Sequence, residues 1–175
     1  MSQMKKTLAN PKSRKADTGV VVSRSDGNAV AMETGQGIVS ICVFGTLGGG
    51  KGFGVSKLIE SLKAGLPVRE LDDLRSNLDL PMERLVPMLG ISKATLHRRK
   101  NSGRLDAAES DRVVRFARLL GRAAAVMETL DDGRRWLTSP QVGLGGAIPL
   151  EYAETEVGAR EVENLLGRIE YGVYS

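Results

Sequence analysis

Helical spacing of apolar residues runs through most of this chain and limits what it can fold into. From Ser56 onward, apolar side chains recur every three or four positions, as at Val68, Leu71, Leu74 and Leu78. This spacing places them on one face of an α-helix. Aromatic residues make up only 4% of the chain, so Leu, Val, Ile, Ala and Met must form the core, which is typical of packed helices. A mainly α fold is predicted.

Capping residues and helix breakers divide this region into successive helices. Predicted helices lie at 56–62, 68–78, 81–89, 92–101, from 107 onward and at 158–169. Ser92 is expected to cap the fourth helix, and Gly103 to end it. Asp106 and Glu109 have the spacing of a capping box, which begins the long fifth helix. Asp131-Asp132-Gly133 and the Gly- and Pro-rich stretch 139–149 are predicted to interrupt the helices, with only a short Trp136-Leu137 segment between them.

Residues 1–55 differ from the rest and are predicted to form a flexible or partly β extension. About 18 basic and polar residues come first and favour a mobile arm. A hairpin is predicted around Asp26-Gly27, and Ile38–Phe44 is predicted to add a strand. The next stretch, Gly45–Gly52, nearly fits the phosphate-loop pattern G-x-x-x-x-G-K-[ST], but Gly52 stands where Mg²⁺ needs a hydroxyl ligand. A glycine-rich linker is therefore the preferred interpretation.

Composition excludes several function classes. One cysteine, Cys42, excludes an internal disulfide, and with one histidine, His97, there is no residue set for a zinc site. No cofactor or catalytic group is indicated, so an enzyme is not expected. The longest apolar run is too short to span a membrane, and the N-terminus lacks the pattern of a secretory signal. These features predict a cytoplasmic protein without a membrane partner.

Charge is segregated along the chain, which has a net charge of +4. The segment from Met82 to Arg122 has ten Lys or Arg against four Asp or Glu, a net +6. The segment from Glu151 to Ser175 has six Glu against two Arg, a net −4. A basic middle suits a polyanion and an acidic end suits a different partner, so two binding surfaces are one interpretation. Two solvated faces without a ligand are the other.

Residues 82–100 have the spacing of a helix-turn-helix. Gly90 lies at the turn, and Leu85, Leu89, Ile91 and Leu96 fall where the two helices pack together. Pro87 departs from the pattern because it removes a hydrogen bond of the first helix, which is expected to bend or to start late.

The second helix of this motif carries hydroxyl and cationic groups and no acidic residue. Lys93, Ala94, Thr95 and Arg98 are predicted to contact base edges in the major groove. Phosphate contacts are predicted for Ser92, Arg99, Lys100 and Arg104. Because operator DNA is normally read by two-fold symmetric dimers, a homodimer is expected. An ordinary helical hairpin with a charged face is the alternative.

From Pro67 onward the chain resembles the Xre-type antitoxins whose C-terminal half is the Xre/MbcA/ParS toxin-binding domain. The matching elements are Leu89-Gly90-Ile91-Ser92, Thr95 to Arg99, Gly103-Arg104-Leu105, Glu109 to Arg112, Trp136-Leu137, Pro140, Leu144-Gly145-Gly146, Pro149-Leu150, Thr155, Gly158, Val162, Leu166, Ile169 and Gly172. The resemblance implies a type II antitoxin that binds operator DNA and blocks a RES-type, NAD-consuming toxin. It divides the chain into an extension at 1–55, a DNA-binding region at 56–112 and a toxin-binding domain at 113–175. A plain transcription regulator whose C-terminal half only dimerises is the alternative.

The last turn of the chain is the predicted contact with the toxin. Tyrosines are large, rigid and amphipathic, and arginine offers a planar cation to a site built for nucleotide phosphates. The predicted contact residues are Arg168, Ile169, Glu170, Tyr171, Gly172, Tyr174 and Ser175. The alternative is that the two tyrosines close the core. Gly145, Gly146 and Pro149 are expected to shape a supporting turn.

Overall fold

The computed structural model describes residues 37–48 and 55–173. This part of the chain is helical and contains no strand, which confirms the mainly α prediction. The helices are α1 (Ile38–Gly48), α2 (Val55–Ala64), α3 (Arg69–Leu78), α4 (Met82–Met88), α5 (Lys93–Ser102), α6 (Ala107–Val126), α7 (Leu130–Thr138), α8 (Pro149–Tyr152) and α9 (Glu156–Glu170), with a 3₁₀ turn at Val142–Leu144.

The predicted helix-turn-helix is present as α4 and α5. Ser92 caps α5 by accepting a hydrogen bond from the Thr95 N–H at 3.1 Å, and Gly103 ends it with a φ of 74°. Pro87 lies in the last turn of α4. The helix ends one residue later, so the break at Pro87 is absorbed where α4 gives way to the turn. Gly90 continues that turn by donating its N–H to the Pro87 carbonyl at 2.8 Å.

The segment predicted as a third strand is instead a helix, α1. Its first two amide groups, at Ile38 and Val39, donate to the carboxylate of Glu70 at 3.1 and 2.9 Å. Val39 and Val43 are fully buried, and α1 packs against α3 and α6. A short apolar run fits either a strand or a buried helix, and here a distant carboxylate caps the helix. The first four residues predicted as linker, 45–48, belong to α1, whereas the predicted arm and hairpin lie outside the described residues.

A second correction concerns Asp131-Asp132-Gly133, which was predicted as a break and lies within α7. Thr129 caps this helix by accepting from the Asp132 N–H at 3.0 Å. Gly133 allows α7 to approach α6 closely, since a Cβ there would lie 2.6 Å from the Ala124 backbone nitrogen. The aspartates therefore form the first turn of a helix, where acidic residues are favourable.

The core is organised around α6, the 20-residue helix. Phe116, Leu119 and Leu120 are fully buried, and α1, α7 and α9 pack against this helix. Its N-terminus has the predicted capping box, in which Asp106 and Glu109 each accept the other's backbone N–H at 2.8 Å. Because α6 continues from the helix-turn-helix to the C-terminal helices, one rigid element supports both predicted binding regions.

Candidate functional site

Helix α5 presents most of the predicted DNA contacts to solvent. Ser92, Lys93, Ala94, Arg98 and Lys100 are exposed, whereas Thr95 is partly buried. Leu96 packs partly against the core, as predicted for the inward face. His97 is exposed, and no group of three His, Cys, Asp or Glu suited to a metal occurs among the described residues.

Arg99 differs from the other basic residues of α5 because two carboxylates already bind it. Its Nε lies 2.7 Å from Glu109 Oε2, and its Nη2 lies 2.6 Å from Asp106 Oδ2. These are the capping-box residues of α6, and the Glu109 side chain is only 6% exposed. The hydrogen bond to Glu109 raises the pKa of Arg99 above its ordinary value. The sequence prediction gave Arg99 a phosphate contact, whereas the structure has it joining α5 to α6.

The turn of the motif is tied to α6 by Arg112, to which no sequence prediction assigned this role. Arg112 Nη1 donates to the Leu89 carbonyl at 2.5 Å. Arg104, a predicted phosphate contact, donates its Nη2 to the Gly65 carbonyl at 2.7 Å. Arg112 stands three residues after Glu109 in α6, so helical spacing from the capping box was the signal that could have identified it.

Within the basic segment 82–122, five cations have no carboxylate partner among the described residues, and three of the five lie on α5. Lys93, Arg98 and Lys100 form no ion pair with any residue of the described ranges 37–48 and 55–173. In the same basic segment, carboxylates pair with Arg84, Arg99, Arg115, Arg118 and Arg122. The other two cations of the segment, Arg104 and Arg112, donate to backbone carbonyls. Helix α5 therefore carries most of the segment's positive charge that has no carboxylate partner, and this charge is exposed, which suits a polyanion.

The acidic end of the chain is not the separate charged surface that the sequence suggested. Glu156, Glu163 and Glu170 are spaced seven residues apart along α9 and face the arginines of α6. The pairs are Arg115 with Glu156 at 3.2 Å, Arg118 with Glu163 at 3.6 Å, and Arg122 with Glu170. Arg84 pairs with Glu151 at 3.4 Å. Four of the six glutamates therefore neutralise positive charge of the basic segment within the molecule. The sequence does not show this, because the paired residues lie far apart along the chain.

Most of the described part of the predicted toxin contact is exposed at the end of α9. Gly172, with a φ of 67°, ends this helix, and the Val173 N–H donates to the Arg168 carbonyl at 2.9 Å. Tyr171 is 78% exposed, so it does not close the core. Arg168 is exposed and has no ion pair within residues 37–48 and 55–173.

The remaining predicted contact residues divide into two groups. Ile169 is partly buried, and Glu170 pairs with Arg122. Tyr174 and Ser175 lie outside the described residues.

One exposed apolar residue was not predicted from the sequence. It is Val142, which is 95% exposed. Its position in a Gly- and Pro-rich stretch, away from any helical face, was the available signal.

Comparison with known proteins supports both regions. The family described as an antitoxin Xre-like helix-turn-helix domain matches residues 57–118, and the antitoxin Xre/MbcA/ParS C-terminal toxin-binding domain matches residues 122–172. An antitoxin Xre of Yersinia enterocolitica is 36% identical over 121 residues, covering 67% of this chain and 81% of the relative. The chain belongs to the Xre antitoxin family. Its membership identifies a DNA-binding motif and a toxin-binding domain, both of them binding modules.

Two further relatives extend the comparison. An antitoxin Xre of Photorhabdus laumondii is 34% identical over 116 residues, covering 65% of this chain and 78% of the relative. A protein of Sphingobium named Prs ADP-ribosylating antitoxin is 25% identical over 124 residues, covering 65% of this chain and 78% of the relative.

The boundary between the two domains falls within α6. This holds both for the predicted division at 112/113 and for the interval between the two matched domains. None of the helices in the described part of this Xre-family chain has the length and hydropathy of a membrane span.

Proposed function

We propose that this antitoxin binds the operator of its own operon through α5 and represses it. The observation that carries this proposal is the exposed cluster of Lys93, Arg98 and Lys100, which have no carboxylate partner among the described residues. Early residues of a recognition helix meet base edges, so Lys93, Ala94, Thr95 and Arg98 read the major groove. Phosphates are contacted by Ser92, Lys100 and Arg104, while Arg99 holds α5 on α6.

The C-terminal domain, in the same proposal, blocks a RES-type toxin that consumes NAD. The resemblance of the chain to RES-associated antitoxins supports this toxin class. The name of the Sphingobium relative also supports it, because ADP-ribosylation is chemistry that uses NAD. Arg168 and Tyr171 are exposed at the end of α9, where a planar cation and an aromatic ring can enter a nucleotide pocket. The contact continues through Ile169, Glu170 and Gly172 to Tyr174 and Ser175.

In the same proposal, the chain acts as a homodimer in the cytoplasm, where operator DNA is found. The two surfaces lie at different ends of α6, since α5 is tied to Glu109 and α9 to Arg122. Thirteen residues separate these anchors, which corresponds to about 20 Å along a helix. This separation favours simultaneous binding of DNA and toxin.

DNA binding is tested with the full-length chain and a duplex carrying its own operon's promoter. Arg98→Ala is expected to relax sequence preference, because a bidentate base contact contributes about 1–3 kcal/mol of discrimination. Lys100→Ala is expected to weaken binding to all sequences and to lower the salt slope by about one. Lys63→Ala, a change at an exposed lysine of α2, is the control. If Arg98→Ala and Lys100→Ala bind the promoter like wild type, α5 is not the recognition helix.

Toxin binding is tested by coexpressing the chain with the product of the adjacent gene. Copurification at fixed stoichiometry, with loss of that protein's NAD-consuming activity, is the expected result. Deleting residues 171–175 is expected to abolish inhibition and to leave promoter binding unchanged. A chain that binds the promoter but no neighbouring protein would be a plain transcription regulator.

A further inference from the structure

The chain between α7 and α8 forms a hydrogen-bonded loop, residues 141–147. Gln141 and Ala147 close it through an N–H to carbonyl bond of 3.0 Å, and Gly146 donates back to the Gln141 carbonyl at 2.9 Å. The Gln141 side-chain amide donates to the carbonyls of Trp136 and Ser139 at 3.0 and 3.1 Å. A loop with these bonds loses little conformational entropy when a partner binds it.

This loop presents an apolar side chain almost entirely to water. Val142 is 95% exposed, the highest value among the large exposed apolar residues of the described chain. The next residue, Gly143, sits directly on α9, since a Cβ there would lie 2.6 Å from Leu165 Cδ1. Val142 is therefore held in a fixed position beside α9 and not on a mobile tip.

The 141–147 loop lies on the same flank of α9 as part of the proposed toxin contact. Leu165 lies under the loop, and Arg168 and Ile169 follow it at three- and four-residue spacing, which places them next to it on the helix surface. The glutamates that pair with α6 occupy a different flank of α9. The loop and the exposed end of α9 thus form a continuous surface with an apolar residue, Val142, and a cation, Arg168.

We propose that the 141–147 loop is a second anchor for the toxin, with Val142 inserted into an apolar cleft of that protein beside the acidic or acceptor groups that receive Arg168. This inference rests on the proposed function and adds a contact within the matched toxin-binding domain, residues 122–172. Its physical basis is the fixed, solvent-exposed valine that adjoins the end of α9. The loop contributes affinity, while the C-terminal end of α9 occludes the pocket.

The test uses the full-length chain and the purified product of the adjacent gene, with affinity measured by isothermal titration calorimetry. Val142→Asp is expected to weaken binding at least tenfold, and Val142→Ser at least threefold. Val157→Asp is the matched control, because Val157 is 73% exposed and lies in the first turn of α9, about 16 Å before Arg168 along the helix. This control is expected to bind within twofold of wild type.

Hydrogen exchange on the wild-type complex provides a second measurement that needs no variant. Amides of residues 142–147 are expected to exchange at least tenfold more slowly when the partner is bound. Wild-type affinity in both Val142 variants, or unchanged exchange in the loop, overturns this inference. If Arg168→Ala still weakens binding in that case, the proposed function stands without the second anchor. Failure of the wild-type chain to bind overturns both proposals.

Discussion

Glu109 joins the capping of α6 to the docking of α5, and replacing it tests that link. Its Oε2 accepts hydrogen bonds from the Asp106 N–H at 2.8 Å and from Arg99 Nε at 2.7 Å. Glu109→Ala removes both bonds. A capping bond contributes about 1 kcal/mol and a hydrogen bond to a charged group about 2 kcal/mol, so we expect unfolding free energy to fall by about 3 kcal/mol.

Glu109→Gln is the matched variant, because an amide oxygen at this position still completes a capping box. Its one amide oxygen can accept both bonds but lacks the negative charge that strengthens the bond to Arg99, so about half of the Glu109→Ala loss is expected. For a chain of this size, each kcal/mol shifts Tm by about 2–4 °C. Circular dichroism melting should therefore show Tm lowered by about 6–12 °C for Glu109→Ala. The reasoning is refuted if Glu109→Ala melts like wild type or if Glu109→Gln is as damaging as Glu109→Ala.

The same contact has a consequence for DNA binding that salt dependence can measure. If Arg99 only positions α5, Arg99→Met lowers promoter affinity without changing the slope of log affinity against log salt. If Arg99 neutralises a phosphate, that slope falls by about one. We expect the first result for Arg99→Met, and an unchanged slope for Glu109→Gln as well, because neither variant removes a phosphate contact.

Two further predictions concern α1 and α3. Glu70→Ala removes the acceptor of the Ile38 and Val39 amides, so urea unfolding should show a loss of about 3 kcal/mol; the exposed-site control Asp72→Ala should change stability by less than about 0.5 kcal/mol. Burial, together with the nearby Glu70 charge, raises the pKa of Asp73 above its ordinary 3.8. The ionised Asp73 therefore destabilises the fold at neutral pH. Asp73→Asn is expected to raise Tm at pH 7, and this gain should vanish as pH falls through the raised pKa to below about 3.8; a gain that is constant with pH contradicts this explanation.

Local signals predicted the parts of this fold that short-range contacts determine. Ser92 and Gly103 mark the ends of α5, and Asp106 with Glu109 marks the start of α6, because each cap forms between residues a few positions apart. The exposed cations of α5 followed from the same local reading. Sequence alone therefore located the helix-turn-helix and most of its candidate DNA contacts.

Long-range contacts account for what the sequence did not predict. The buried Glu70 stabilises α1 as a helix from about 30 positions away, and no pattern within the apolar run shows this. The ion pairs of Arg99 with Asp106 and Glu109 depend on how the chain turns between α5 and α6. Pairing of α9 glutamates with α6 arginines likewise depends on packing, so the net charges of the two segments gave the wrong picture of the acidic end.

The ion pairs between α6 and α9 have a consequence for exchanging parts between related antitoxins. A chimera joined between α6 and α7 takes its helix-turn-helix and α6 from one relative and its later helices from another. It inherits Arg115, Arg118 and Arg122 from the first parent and the α9 residues facing them from the second. Where the second parent lacks acidic residues at the positions of Glu156, Glu163 and Glu170, Arg118 and Arg122 lose the ion pairs described here, and Arg115 keeps only its pair with Asp111. Such a chimera can combine a new operator with a new toxin only if the charges on α9 of the second parent complement those on α6 of the first.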